Sequence, residues 1–183
     1  VTSIKSFEEK LSISLEKRLK AAICDYQPTE MPLAQLRPAS VVLILQPGES
    51  IDLWFVRRSR GLRQHAGQIA FPGGKEELDD GGPWPAAARE AFEEIGAQGL
   101  LCWGQLDDCW TPTGYRIRPF VAWNQGPRPG ERPSGEVESA FCLPIEQLLQ
   151  HEGPTFASPQ GEIWGATARI LQRYLQLVRG QEA

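Results

Sequence analysis

Residues 69–96 read IAFPGGKEELDDGGPWPAAAREAFEEIG, with two Gly-Gly pairs, seven carboxylates and one arginine. QIAF is a short strand candidate running into Pro72-Gly73-Gly74. A helix is expected from Pro85 to about Ile95, because proline is tolerated at the first helical position and Gly96 is a natural stop. At about 100° per residue, Glu90, Glu93 and Glu94 fall within an arc of roughly 100°, and Ala88, Phe92 and Ile95 group on the opposite side. Three carboxylates at this spacing with no lysine among them repel one another by a few tenths of a kcal/mol per pair. Most charge clusters are simply solvated faces. A hard divalent cation would turn this repulsion into binding, since Mg2+ takes oxygen ligands and is commonly held by carboxylates together with substrate phosphates. Arg89 stands beside the group and could fix one carboxylate. Gly73 and Gly74 permit a tight turn that brings a backbone carbonyl near the ion, or an ordinary turn with no ligand.

Outward from this stretch, charge is segregated along the chain. No acid occurs between Asp52 and Glu76, a span that holds Arg57, Arg58, Arg60, Arg63 and Lys75; from Glu76 to Glu94 seven acids face Arg89 alone. A basic segment feeding an acidic one suits a substrate whose phosphates meet arginine in one place and a metal in another. Surface ion pairs are the plainer account of any single arginine. Residues 4–23 carry Ile4, Phe7, Leu11, Leu15, Leu19 and Ala22 about one turn apart, an amphipathic helix pattern. SVVLIL and DLWFV, separated by QPGES, read as a strand hairpin. Further strands are expected near 98–106, 116–123 and 136–142, and helices near 144–151 and 165–178. NQGPRPGERPSG is the longest loop. The elements interleave without a regular βαβ repeat, so the fold class is mixed α/β, a mixed sheet with helices packed on it. The organisation expected is an N-terminal helix and connection over 1–36 and one domain over 37–183.

Composition narrows the function classes. The 183 residues, 41% of them hydrophobic, suffice for one sizeable core. No apolar run approaches the roughly 18 residues of a membrane span, and the N-terminal stretch is too charged for a signal peptide. Cys24, Cys102, Cys109 and Cys142 show no CxxC spacing and no neighbouring histidine, which predicts free thiols in a soluble, cytoplasmic protein. A net charge of -4 argues against general nucleic-acid or membrane binding. With two histidines, His65 and His151, multi-histidine metal sites are excluded; no G-x-S-x-G elbow exists, and GGK is not followed by Ser or Thr as a P-loop requires. His65 lies in the basic segment, where contact with substrate and a hydrogen-bonded structural role are both open. Trp84 and Trp164 are read as core or rim packing, with base stacking as the lesser alternative.

The segment GGKEELDDGGPWPAAAREAFEEIGA resembles the Nudix box, G-x5-E-x7-R-E-U-x-E-E-x-G-U with U apolar: Gly74, Arg89, Glu90, Ala91, Glu93, Glu94, Gly96 and Ala97 match. Asp80 stands where the first Glu belongs, with eight residues rather than seven before Arg89, which leaves Asp80 between a ligand and a loop cap. Just upstream, WFVRRSRGLRQHAGQIAFPGG is similar to the L-L-T-x-T-[SA]-x3-R-x3-G-x3-F-P-G-G pattern of the coenzyme A pyrophosphatase branch. Ser59, Arg63, Gly67, Phe71, Pro72, Gly73 and Gly74 are in register; Trp54, Phe55, Val56 and Arg58 depart from it. TPTGYRIRPFV and IWGATARIL are also similar to members of that branch.

This resemblance implies a Nudix-type α/β/α sandwich that hydrolyses coenzyme A to 3',5'-ADP and 4'-phosphopantetheine with Mg2+ or Mn2+. Gly74, Glu90, Glu93 and Glu94 would be the metal ligands, and Arg89 would orient them. Glu93 and Glu94 would be catalytic together with Glu136, the expected base, for which Glu138 is the fallback. Arg57, Arg58, Arg63, Phe71 and Tyr115 would contact substrate. The implied partner is a small nucleotide-derived molecule, with neither nucleic acid nor membrane, and a homodimer is the protein assembly allowed. Two alternatives stay open: a diphosphatase of another nucleoside diphosphate derivative such as ADP-ribose or NADH, and a non-catalytic nucleotide-binding module.

Overall fold

The computed structural model describes residues 2–32, 35–61, 65–130, 132 and 135–182, with side chains from residue 13 to 181. Period-2 alternation along its strands divides the core in two. In β1 (Arg37–Gln46), Val42 and Ile44 face one side of the sheet while Leu43 and Leu45 face the other. β2 (Asp52–Arg58) repeats this with Trp54 and Val56 against Leu53 and Phe55, and β7 (Tyr115–Asn124) with Phe120 and Ala122 against Val121. A sheet apolar on both faces must be covered on both. Helix α2 (Pro83–Ile95) covers the first face through Ala87, Ala91 and Ile95. The second is covered by α1 (Thr2–Cys24), with Leu19, Ala22 and Ile23, and by α4 (Gly165–Arg179), with Ile170, Leu171, Tyr174 and Val178. The result is the mixed α/β sandwich expected.

β1 and β7 run parallel over nine register pairs, and the remaining pairings are antiparallel. β3 (Ile69–Ala70) and β8 (Val137–Pro144) flank β2, and β5 (Leu100–Gln105) and β6 (Cys109–Trp110) pair with β7. The β1–β2 hairpin forms as expected but stays paired only at Leu45↔Leu53 and Gln46↔Asp52. Beyond those pairs β4 (Gly73–Lys75) takes the edge of β1, at Ala39↔Lys75, Ser40↔Gly74 and Val41↔Gly73. This insertion brings the Gly-Gly pair into the sheet beside α2.

Helix α2 begins at Pro83, two residues before the expected start, and ends where Gly96, at φ 70°, donates its N–H to Phe92 O. Helix α3 (Ile145–Leu149) is shorter than expected. Several short elements lie outside the sequence reading: β4, β6, the hairpin β9 (Phe156–Ser158) and β10 (Gly161–Ile163), and the 3-10 turn Leu78–Asp80. Elements of two or three residues are too short to show periodicity. Of the N-terminal apolar stripe, Leu15 and Leu19 pack on the core, whereas the side chains of Ile4, Phe7 and Leu11 lie outside the described residues. The four cysteines are free thiols, and among the described residues no helix is long and apolar enough to cross a membrane.

Candidate active site

The site is built where β4 passes beneath α2. Gly73 adopts φ +146°, and a Cβ there would fall on the backbone of Ser40 and Val41. At Gly74 a Cβ would collide with the Glu90 carboxylate. The two glycines therefore let the strand lie between β1 and the helix, with carboxylates directly above it. Ala86, Ala87 and Ala91 are fully buried on the underside of α2, and their small size lets the helix sit close to the sheet.

This packing corrects the helical projection in two places. Phe92, expected in the core, is 41% exposed under the Arg132 guanidinium, which lies 4.5 Å from its ring. Glu94, expected on an open acid face, is only 5% exposed. Its Oε2 accepts the Gly73 N–H at 3.0 Å. Burial pushes its pKa up to about 8; the Gly73 bond and Arg58 oppose this, while Glu90 and Glu136 add to it. Glu90 is half-buried and also raised, first by desolvation and further by Glu93 and Glu136. Glu93 is the exposed member, with 57% of its side chain in solvent.

Arg89 joins the cluster to the preceding turn. Its Nε donates to Asp80 Oδ1 at 2.6 Å, Nη2 lies 3.1 Å from Glu90 Oε1, Nη1 lies 3.4 Å from Glu93 Oε2, and Nη2 also reaches the Lys75 carbonyl. Asp80 accepts the Glu77 N–H as well, and Arg89 holds its carboxyl below the usual carboxylate range. In this arrangement Asp80 caps the 3-10 turn and holds the arginine. Ser40, fully buried, donates to Glu76 Oε1 at 2.7 Å beside Gly74; neither residue carried a signal in the sequence, because their contact spans a strand pairing.

The basic segment divides between the two faces of the sheet. Arg58 lies on the α2 face, with Nη2 3.6 Å from Glu136 Oε2, and it is the cation that bears on Glu94. Arg57, one residue earlier, points to the opposite face and donates to Gln160 O of the β9–β10 turn. Glu136 acts electrostatically on both Glu90 and Glu94, whereas Glu138 pairs with Arg60 at 3.7 Å. Phe71 is 2% exposed and stacks on Phe55 in the core cluster that α1 and α4 cover, so it offers no open surface. Tyr115 stands at the start of β7 under Arg37, whose guanidinium lies 4.1 Å from the ring. Arg63 lies outside the described residues. Trp84 packs edge-on against Phe120, and Trp164 is half exposed at the start of α4.

Two crevices, one beside Trp110 and Arg169 and one beside His151 and Gln172, contain none of these carboxylates. Residues 35–161 match the NUDIX domain family. The chain belongs to the Nudix family. It is similar to the uncharacterized Nudix hydrolase NudL of Salmonella typhimurium, with 31% identity over 80% of this chain and 84% of NudL. A probable nudix hydrolase of Schizosaccharomyces pombe is 30% identical over 83% of this chain, which spans 59% of that longer protein. Among solved structures, the MutT protein of Methanosarcina mazei superposes with a TM-score of 0.58 at 19% identity, over 87% of this chain and all of that one. The NUDIX domain of Shewanella oneidensis NrtR, complexed with ADP ribose, superposes with a TM-score of 0.55 at 14% identity, over 82% of this chain and 90% of that one. These two likenesses show the fold.

The Nudix domain is a hydrolase of pyrophosphate bonds, of a family that binds nucleotide-derived substrates and typically depends on a divalent metal. Its residues fit such an ion by donor type: hard oxygen ligands, two of them desolvated and raised in pKa by burial and neighbouring carboxylates, next to the strand in which Gly74 leaves room for the Glu90 carboxylate. Among the described residues no three acidic, histidine or cysteine side chains already converge on one point. Glu93 and Glu90 are held by Arg89, and Glu94 by Gly73.

Proposed function

We propose that this Nudix hydrolase cleaves the diphosphate of coenzyme A and its derivatives, releasing 3',5'-ADP and 4'-phosphopantetheine, with Mg2+ or Mn2+ as cofactor. The observation that carries the reading is the placement of Arg58 against Glu136 and the buried Glu94. Arg58 stands at a position where segment 54–74 departs from the coenzyme A pyrophosphatase pattern, and it adds a cation there; the segment's matching half, Ser59 to Gly74, ends in the Gly-Gly pair beneath Glu90.

In this reading Gly74, Glu90, Glu93 and Glu94 hold the cation, which when bound supplies charge neutralisation at the diphosphate and acidifies water. Arg58 binds a phosphate oxygen by a charge-assisted hydrogen bond. Glu136, 68% exposed and therefore open to solvent, takes a proton from water as the water oxygen bonds to phosphorus. The P–O bond of the anhydride breaks, and its electrons leave with the departing phosphate. Arg89 keeps the box carboxylates in place. Tyr115 and Arg63 are assigned to the flanks of the substrate. Arg57 and Phe71 act through structure: Arg57 fastens the β9–β10 turn, and Phe71 stacks on Phe55 in the core.

The test is a substrate panel of coenzyme A, dephospho-coenzyme A, ADP-ribose and NADH with Mg2+ or Mn2+, read by product identity. Coenzyme A should exceed dephospho-coenzyme A by at least about tenfold in kcat/KM, since one charge-assisted hydrogen bond to the 3'-phosphate is worth roughly 1.5 to 3 kcal/mol. Equal treatment of the two, or faster cleavage of ADP-ribose, would leave only the broader diphosphatase activity.

A further inference from the structure

His65 is the non-glycine residue with positive φ among the described residues, at φ 58°, the left-handed region that costs a side chain roughly 1 kcal/mol or more. Its ring explains why the conformation persists. Nδ1 lies 2.9 Å from Gln68 Oε1 and Nε2 lies 3.1 Å from Thr113 Oγ1. Thr113 Oγ1 lies 2.9 Å from Thr111 Oγ1, which in turn accepts the Tyr115 N–H at 3.1 Å. A neutral ring satisfies the whole chain in one direction: Tyr115 N–H to Thr111, Thr111 O–H to Thr113, Thr113 O–H to His65 Nε2, and His65 Nδ1–H to Gln68.

The two ends of this chain sit in different parts of the fold. On one side the 111–115 turn is fixed to β1, because Arg37 donates to Thr113 O at 2.7 Å and covers the Tyr115 ring. On the other, His65 closes the stem of the basic loop. Gln68 N–H donates to His65 O, Gly67 N–H to Arg58 O, and Arg58 N–H to Gln68 O. The next residue, Ser59, donates its N–H to Glu136 O. His65 therefore connects an anchored turn to the backbone of Arg58, 48 residues away in sequence from its partner Thr113.

We propose that the His65–Thr113 contact is a latch that positions the Arg58 wall of the site, so that His65 is a positioning residue for substrate binding. The proposal rests on the Nudix diphosphatase activity and is independent of which nucleotide is cleaved. Without the latch the loop stem keeps its β2–β3 pairing but loses the side-chain bond that ties it to the 111–115 turn. Substrate then has to draw the Arg58 stem into place on binding. The consequence is a raised KM and a kcat close to native, because the bonds of Glu90, Glu93 and Glu94 among the described residues run to Arg89 and Gly73, and Glu136 stays fixed by the Ser59 N–H next to the β2–β8 ladder.

The test compares Thr113→Val, Thr113→Ser, His65→Gly and native protein on the best substrate of the panel. Loss of one neutral hydrogen bond corresponds to roughly a 3- to 10-fold change. Thr113→Val and His65→Gly should each raise KM by about that factor with kcat within about threefold, and Thr113→Ser should restore the native KM. His65→Gly should also melt no lower than native, since glycine relieves the strain; a higher KM in a protein of equal stability is an effect that a purely structural histidine would not give. Native KM in Thr113→Val, or a Thr113→Ser protein as impaired as Thr113→Val, overturns the latch. Hydrogen exchange supplies a readout that needs no turnover: the Gly67 and Gln68 amides should exchange faster in Thr113→Val than in native protein, and unchanged rates also overturn it. If native protein turns over no substrate in the panel, the proposed function fails while the exchange result still decides the latch.

Discussion

Glu94 concentrates the chemistry of the site in one buried carboxylate. Folding takes it out of water, and this burial pushes its pKa up to about 8, against the single backbone N–H from Gly73 that favours the charged form. A carboxyl raised in the folded state favours folding while protonated. In metal-free protein that contribution is full below about pH 4.5 and is lost as pH rises through about 8. Melting in chelator from pH 5 to 9 should therefore show a steeper loss for native protein than for Glu94→Gln, whose amide keeps the Gly73 bond and does not ionise. Parallel curves would contradict the burial argument. Added Mg2+ should bring native stability back most strongly at the alkaline end, because the ion competes with the proton. In turnover, Glu93→Gln and Glu94→Gln should each lower kcat by roughly 100-fold or more with the fold retained, as metal-held charge stabilisation is worth several kcal/mol. Near-normal turnover in either would remove that residue from the ligand set. Glu136→Gln should cost about 100-fold if Glu136 is the base; a loss below about tenfold would move the role to Glu138.

At the scale of elements, β4 and α2 depend on each other. Three residues of strand are inserted where β1 and β2 part, and the two glycines serve different neighbours. Gly73 combines φ +146° with backbone atoms of Ser40 and Val41 where a Cβ would lie, and strand backbone cannot move aside. Gly73→Ala should destabilise by roughly 2 to 4 kcal/mol, or about 5 to 15 °C in Tm. Gly74 has an ordinary φ and meets a side chain, the Glu90 carboxylate. Gly74→Ala should lose at least about tenfold in kcat with a smaller change in Tm, because the displaced group is a candidate ligand rather than the sheet. Differential scanning fluorimetry and turnover on the same preparations separate the two; equal effects of both substitutions on both readouts would refute the division. The sequence carried the pair as a turn signal. That the turn becomes a sheet strand under a helix depends on Ser40 and Val41, more than thirty residues upstream.

For the molecule as a whole, the face opposite the site is closed by α1 and α4, both of which lie outside the matched residues 35–161. Tyr174 of α4, fully buried, donates to the Leu19 carbonyl of α1 at 3.1 Å. Nearby, Tyr26 and Arg173 both donate to Asp107, which pins the segment after α1 to the turn before β6. Tyr174→Phe removes one buried hydrogen bond and keeps the ring. It should lower stability by about 1 kcal/mol, roughly 2 to 4 °C in Tm, with kcat and KM unchanged. A change in KM would show that the two faces of the sheet are coupled, contrary to the separation of the two core clusters. The same two-sidedness explains why adjacent arginines behave differently: Arg58 belongs to the face that carries the α2 carboxylates and Arg57 to the face that α4 and the β9–β10 hairpin close.

By itself the sequence determined the longer elements and the chemistry of one helix. Periodicity of 2 and 3.6 marked the strands and helices, Gly96 the end of α2, and the run Arg89 to Glu94 the carboxylate cluster, since each is encoded within one or two turns of chain. Tertiary structure decided which of those groups meet. It buried Glu94 and exposed Phe92, because the depth of α2 is set by Ala86, Ala87 and Ala91 against the sheet. It favoured Glu136 over Glu138 beside the box carboxylates and Arg58 over Arg57, and it joined His65 to Thr113. These choices depend on strand register and on contacts tens of residues apart, where local pattern carries no information about the neighbour.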